Sequence, residues 1–157
     1  MTNFSNDSRV WIYQANRLLN PIERDYIQKK ADAFIRDWTS HGKLMKAKLD
    51  IVYNTFLIWV LDETEAAASG CGIDKSVQFM QQLDQEIQID SMNRTRIAYK
   101  ESEEIKQCSM HEFSERIKKG IVTTETIVFN NMVQTLSELK KEWEIPAQKS
   151  WHARLLS

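Results

Sequence analysis

KLMKAKLDIVYNTFLIWVLD, residues 43–62, decides how the chain folds. Met45, Ala47, Leu49, Ile51 and Tyr53 alternate with Lys46, Lys48, Asp50, Val52 and Asn54, and a period of two is that of a strand with one wetted face. TFLIWVLD, residues 55–62, is almost continuously apolar, as expected of a central strand covered on both sides. With Asn54 and Thr55 as the tight connection, the stretch predicts a β-hairpin.

The flanks place this hairpin in a larger pattern. RVWIYQA, residues 9–15, is rich in β-branched and aromatic side chains and reads as a first strand. Asn20 then caps a helix, Pro21 suits its first turn, and Glu23 favours the positive end of the helix dipole. Ile27, Ala31, Phe34 and Trp38 make one apolar stripe along it. This helix is expected to end near Ser40-His41-Gly42. After the loop 63–73, Val77, Met80, Leu83 and Ile87 predict a second helix from Asp74 to Ile89, with Asp74 as its cap, and RTRIAYK, residues 94–100, a fourth strand. The order is βαββαβ, the ferredoxin-like or split βαβ arrangement, so the fold class is α+β, with an antiparallel sheet and both helices on one face.

Residues 104–157 read as a C-terminal extension of that core. IKQCS, residues 105–109, suggests a short strand, and Ser109 with Glu112 forms a capping box before a helix ending at Gly120. TETIVFNNMV, residues 124–133, reads as a further strand in which Asn130 and Asn131 serve backbone groups at a turn. Thr135 and Glu138 offer another capping box before a short helix to Trp143. The tail beyond Pro146 holds Trp151, Leu155 and Leu156, enough apolar surface to dock on the body.

A chain of 157 residues suffices for one domain with a sizeable core. Its 21 basic and 22 acidic residues nearly cancel, so charge gives no reason to expect a nucleic-acid or anionic-membrane partner. The sequence shows no basic leader and no run of about 18 apolar residues, and a cytoplasmic location without membrane association is the expectation. Two cysteines without CxxC spacing predict neither a disulfide framework nor a structural zinc site. No cofactor is expected. Oligomeric state is not legible.

The chemistry concentrates in ASGCGIDKS, residues 68–76. Gly70 to Ser76 superficially suggests a phosphate-binding loop, but Asp74 stands where that loop needs glycine, and its carboxylate would repel phosphate. Two readings remain for Cys71. Near a helix N-terminus the dipole favours a thiolate nucleophile, with His41 as its base, because the βαββαβ topology brings the loop 39–43 and the loop 62–73 to one end of the sheet. Otherwise Gly70 and Gly72 make a turn and Cys71 packs as a small apolar residue. Ser69, Gly70, Gly72, Lys75 and Ser76 are the candidate ligand-binding residues there, joined by His152 if the tail folds back. Asp62, Glu63 and Glu65 share the loop end. No histidine pair has metal-ligand spacing.

WTSHG (38–42), SGCGIDKSVQFM (69–80), TIVFNNMV (126–133) and SWHARLL (150–156) together resemble a family of small uncharacterised bacterial proteins often labelled "ABC transporter ATPase". The chain lacks an intact Walker A, an LSGGQ-like signature and a Walker B acid pair, so the resemblance implies a bacterial cytoplasmic protein and not an ATPase. IKQCSMHEFSERIKKGIVTTETIVF, residues 105–129, is similar to the helix and following strand of GYF-like adaptor modules, which bind peptides, without the aromatic residues of their recognition motif. The preferred function is a non-enzymatic ligand- or protein-binding protein. The alternative is a thiol-dependent enzyme or redox sensor using Cys71.

Overall fold

A computed structural model describes residues 3–156. In chain order the elements are β1 (Arg9–Gln14), α1 (Pro21–Arg36), β2 (Thr39–Ser40), β3 (Lys43–Leu44), β4 (Lys46–Val52), β5 (Phe56–Asp62), α2 (Gly70–Ile87), β6 (Ile97–Glu101), β7 (Glu104–Cys108), α3 (Met110–Lys118), β8 (Ile127–Phe129), α4 (Leu136–Glu142) and β9 (Glu144–Pro146), followed by two short 3-10 turns. Helices and antiparallel sheets make this an α+β protein. It comprises two compact units, one of residues 3–92 with 134–137, the other of 93–133 with 138–156.

The first unit is built around the predicted hairpin. β4 and β5 pair in register from Lys46–Asp62 to Val52–Phe56. Tyr53 and Asn54 both take left-handed backbone, which closes the turn. β5 is buried along its whole length and lies between β4 and β1. Leu49, Leu57, Trp59 and Leu61 share one face with Tyr13, and that face packs against Ile27 and Ala31 of α1 and Met80 and Leu83 of α2. Both helices therefore cover the same side of the sheet, as the apolar stripes require.

Three boundaries differ from the sequence expectation. α1 stops at Arg36, where the N–H of Asp37 donates to Phe34 O and Ile35 O. Beyond it, His41 and Gly42 form a two-residue turn with φ of 51° and 79° that joins β2 to β3. A turn with two left-handed residues cannot continue a helix, so WTSHG leaves α1 earlier than its polar composition suggested. α2 begins at Gly70 and is capped by Ser69, so Asp74 lies inside the helix. The strand within TETIVFNNMV is only Ile127–Phe129.

The fourth strand goes elsewhere. Residues 97–101 form β6 in the four-stranded sheet β7-β6-β8-β9 rather than joining β1, which replaces the single βαββαβ sheet. After α2, Gln88 and Asp90 adopt positive φ, and the Asp84 carboxylate accepts from the N–H groups of Ser91 and Met92. Ile89, fully buried, accepts from Asn16 N–H through its carbonyl. That knot ends the helix beside the C-terminal end of β1. β6 then pairs with β7 across the two-residue turn Ser102-Glu103, and such local pairing costs little loop entropy. The outer edge of β1 is met instead by residues 134–136: Val10 N–H donates to Gln134 O, and Leu136 N–H donates to Ser8 O.

In the second unit, Phe113 of α3 sits among Ile97, Tyr99, Cys108, Val122, Val128 and Ala147. The Ser109 and Glu112 capping box that starts α3 is present in both directions. Trp151, Leu155 and Leu156 pack on this cluster, so the tail docks within its own unit. Asn130 Oδ1 accepts from Met132 N–H, the backbone role expected at this turn, whereas Asn131 Oδ1 accepts from the Trp143 indole, a side chain twelve residues on. Among the described residues no helix is long and apolar enough to cross a membrane.

Candidate functional site

The end of α1 and the start of α2 enclose a cavity of about 300 Å³ in the first unit. Phe34, Asp37, Trp38 and Thr39 line it from α1 and the residues that follow; Ser69, Cys71, Gly72 and Lys75 line it from α2. The apolar wall belongs to an aromatic cluster, with Phe34 centred 5.2 Å from Trp38 and 5.6 Å from Trp59. Phe79 closes the cluster 5.4 Å from Trp59, edge to face. Phe34 and Trp38 were legible as part of a core stripe, but nothing in their spacing announces a cavity.

On the α2 side, Ser69 Oγ accepts from Gly72 N–H at 3.0 Å. Ser69 is therefore the N-cap, and Cys71 lies in the first helical turn. Its side chain is exposed and free, whereas Cys108 is buried in the second unit, where burial pushes its thiol pKa up. Gly70 is exposed with open space where a Cβ would go, so that position makes no demand for glycine. Gly72 does: a Cβ there would lie 2.6 Å from Trp38 Nε1 and 3.3 Å from Ser69 Oγ. The residue expected to admit a ligand instead admits an indole. Ser76 Oγ donates to the Ile73 carbonyl one turn back, at 2.6 Å, while Lys75 reaches the cavity.

This close approach yields a prediction. Gly72→Ala should cost about 1–3 kcal/mol through overpacking against the indole, whereas Gly70→Ala should be neutral or mildly stabilising, because alanine is the better helix former by about 1 kcal/mol. Urea unfolding of the two variants beside the parent measures both.

Trp38 carries the site's unusual feature. It is 5% exposed, and its indole Nε1 has no hydrogen-bond partner among the described residues. Trp143 shows the ordinary condition, its Nε1–H donating to Asn131 at 2.9 Å. Trp59 Nε1 is also buried without a partner, but Trp59 does not line the cavity.

His41 occupies the β2–β3 turn, exposed, and is not among the cavity's lining residues. The neighbouring acids are engaged. Asp62 accepts from Ser5 N–H at 2.9 Å and from the backbone and hydroxyl of Thr64 at 2.9 and 2.5 Å. The Thr64 hydroxyl, then those backbone donors, hold its carboxyl far below the usual carboxylate range. Glu63 pairs with Arg9 at 3.2 Å and accepts from Ala68 N–H at 2.9 Å. Glu65 lines a different cavity, with Phe4 and Lys46.

His152 is 1% exposed in the second unit, stacked on Trp151 at 3.9 Å with Ser150 Oγ 2.8 Å from its Nδ1. Burial lowers its pKa from 6.5 to about 4. Among the described residues no group of three or more His, Cys, Asp or Glu side chains is placed to hold a metal. No protein-family model matches this chain, and no curated protein or solved structure matches it either.

Proposed function

We propose that the protein is a non-enzymatic binding protein whose first unit holds a small ligand in the cavity between α1 and α2. The observation that carries this reading is the cavity itself, walled by Phe34 and Trp38 on the α1 side and by the capped start of α2 with Cys71 and Lys75 on the other. The volume of about 300 Å³ lies at the small end of ligand sites, and an aromatic wall with a few converging polar groups is their common composition. Nucleotide hydrolysis forms no part of the reading, because the stretch that superficially suggests a phosphate cradle is the capped start of α2, with Asp74 inside the helix.

The test is a titration of 15N-labelled protein with a set of small aromatic acids, amides and alcohols. The Trp38 Nε1–H resonance, identified by its loss in Trp38→Phe, should move with at least one of them. The same compound should slow alkylation of Cys71 by iodoacetamide, since that thiol lies on the cavity wall. A set that leaves the Trp38 resonance in place would reject the reading.

Exposure of Cys71 on that wall supports the second reading, thiol chemistry on the bound molecule. Cys71→Ser separates the two. Binding unchanged within about two-fold, with the compound recovered intact from the parent protein, fits a binding protein; Cys71-dependent conversion of the compound would assign an enzyme.

A further inference from the structure

We propose that two copies of this chain associate through the outer face of α1, the two helices running antiparallel about a two-fold axis level with Ile27. Along α1, Ile22, Tyr26, Lys29 and Ala33 follow one another at spacings of four, three and four, which sets them in one stripe. That stripe points away from Ile27 and Ala31, the residues that α1 buries in the core. Ile22 is 81% and Tyr26 37% exposed, and Ala33 is exposed as well. The outer side of a surface helix is ordinarily polar, so a second stripe with this much apolar surface marks a contact. Together with Asp25 and Lys30, these four residues line a groove of about 470 Å³.

The charges commit this face to a second copy. The Tyr26 hydroxyl and the Lys30 ammonium both donate to the Glu86 carboxylate of α2, Lys30 at 2.6 Å, so Lys30 is neutralised within the chain and the Tyr26 ring is held in place. Asp25 and Lys29 remain. They pair with each other at 2.9 Å but are 64% and 76% exposed, and so exposed a pair is weak enough for both side chains to turn to a partner. A two-fold contact needs a patch complementary to itself. A carboxylate four residues before an ammonium meets that need when the helices run in opposite directions: each Asp25 then falls beside the other copy's Lys29, and Ile22 beside Ala33, a large side chain against a small one. A parallel pairing would hold like charges level with one another. The net charge of −1 puts little long-range repulsion between copies. A lipid surface is the poorer match, because helices that lie on anionic membranes carry basic flanks, whereas Asp25 and Asp32 border this stripe.

Sedimentation equilibrium of the full chain over about a hundred-fold range of concentration tests the inference. The mass should rise from that of one chain towards that of two. Association should be weak, because a 16-residue helix is only about 24 Å long and such a contact falls short of a standard interface. Ile22→Glu, at a position outside the core, should weaken it at least about ten-fold by placing a charge in the centre of the contact. Asp25→Lys and Lys29→Asp should each weaken it several-fold by setting like charges side by side. An equimolar mixture of those two variants should regain the parent's association, since every charge pair in the mixed dimer joins an aspartate to a lysine. A parent that stays monomeric throughout overturns the inference, and so does Ile22→Glu associating like the parent, which would move the contact to another face. A mixture no better than its components overturns the antiparallel arrangement. A monomeric parent that co-sediments with phosphatidylcholine–phosphatidylglycerol vesicles, and loses this in Ile22→Glu, would give the face to a lipid surface instead.

Discussion

Replacing Phe113 by alanine should destabilise the protein by about 3–5 kcal/mol, the range for removing a large buried aromatic side chain. Phe113 is 0% exposed and lies at the centre of the second unit's core, 5.9 Å from the Tyr99 ring and 5.8 Å from the His152 ring. Its loss opens a void under α3 where β6 and the 3-10 turns of the tail meet. Since a whole domain is commonly stable by only about 5–15 kcal/mol, the variant should unfold at a much lower urea concentration. Phe113→Leu keeps an apolar body in the site and should lose less. A cost below about 1 kcal/mol for the alanine variant would mean that Phe113 does not organise this core.

Acid should weaken the protein through His152 before most carboxylates titrate. Burial keeps the folded imidazole neutral down to about pH 4, whereas in the unfolded chain it protonates near 6.5. Above pH 6.5 neither state holds the proton and stability is unaffected. From 6.5 down to about 4 the unfolded chain gains a proton that the folded protein refuses, so stability falls with pH and then levels off. Between pH 7.5 and 4.5 the loss should be about 2–3 kcal/mol, read from urea midpoints at the two values. His152→Phe, which keeps a ring beside Trp151, should flatten that dependence. Identical slopes for parent and variant would place the titration on another group.

These two residues also show how unevenly the chain advertises its structure. The capping box at Ser109 and Glu112 is a local pattern, and α3 follows directly from it. Phe113 reads as apolar, but nothing local says that it will meet His152 from a tail 39 positions later. The tail's apolar residues announced docking. That His152 would be buried among rings required knowing which surface they dock on.

The candidate site divides in the same way. SGCGIDKS marks a helix start, and Cys71 and Lys75 do reach a cavity. Their partners there, Phe34 and Trp38, belong to a stripe whose spacing looks like ordinary core, and His41, read as a neighbour, lies in the β2–β3 turn. The shift of the α2 cap from Asp74 to Ser69 moves Cys71 into the first turn. Capping propensity alone could not decide between them, because serine and aspartate cap almost equally well.

By itself the sequence determined the hairpin of residues 46–62, the faces of α1 and α2, the helix caps at Asn20 and Ser109 and the α+β class. All of these depend on periodicity or on side chains that bond to their own neighbours along the chain. Only the tertiary structure decided that β6 leaves the first sheet, that Gly72 yields its space to Trp38, and that the Trp38 N–H is left without an acceptor. Each of these is settled by which distant surfaces compete for a strand edge or a few cubic ångströms, and no local pattern encodes that competition.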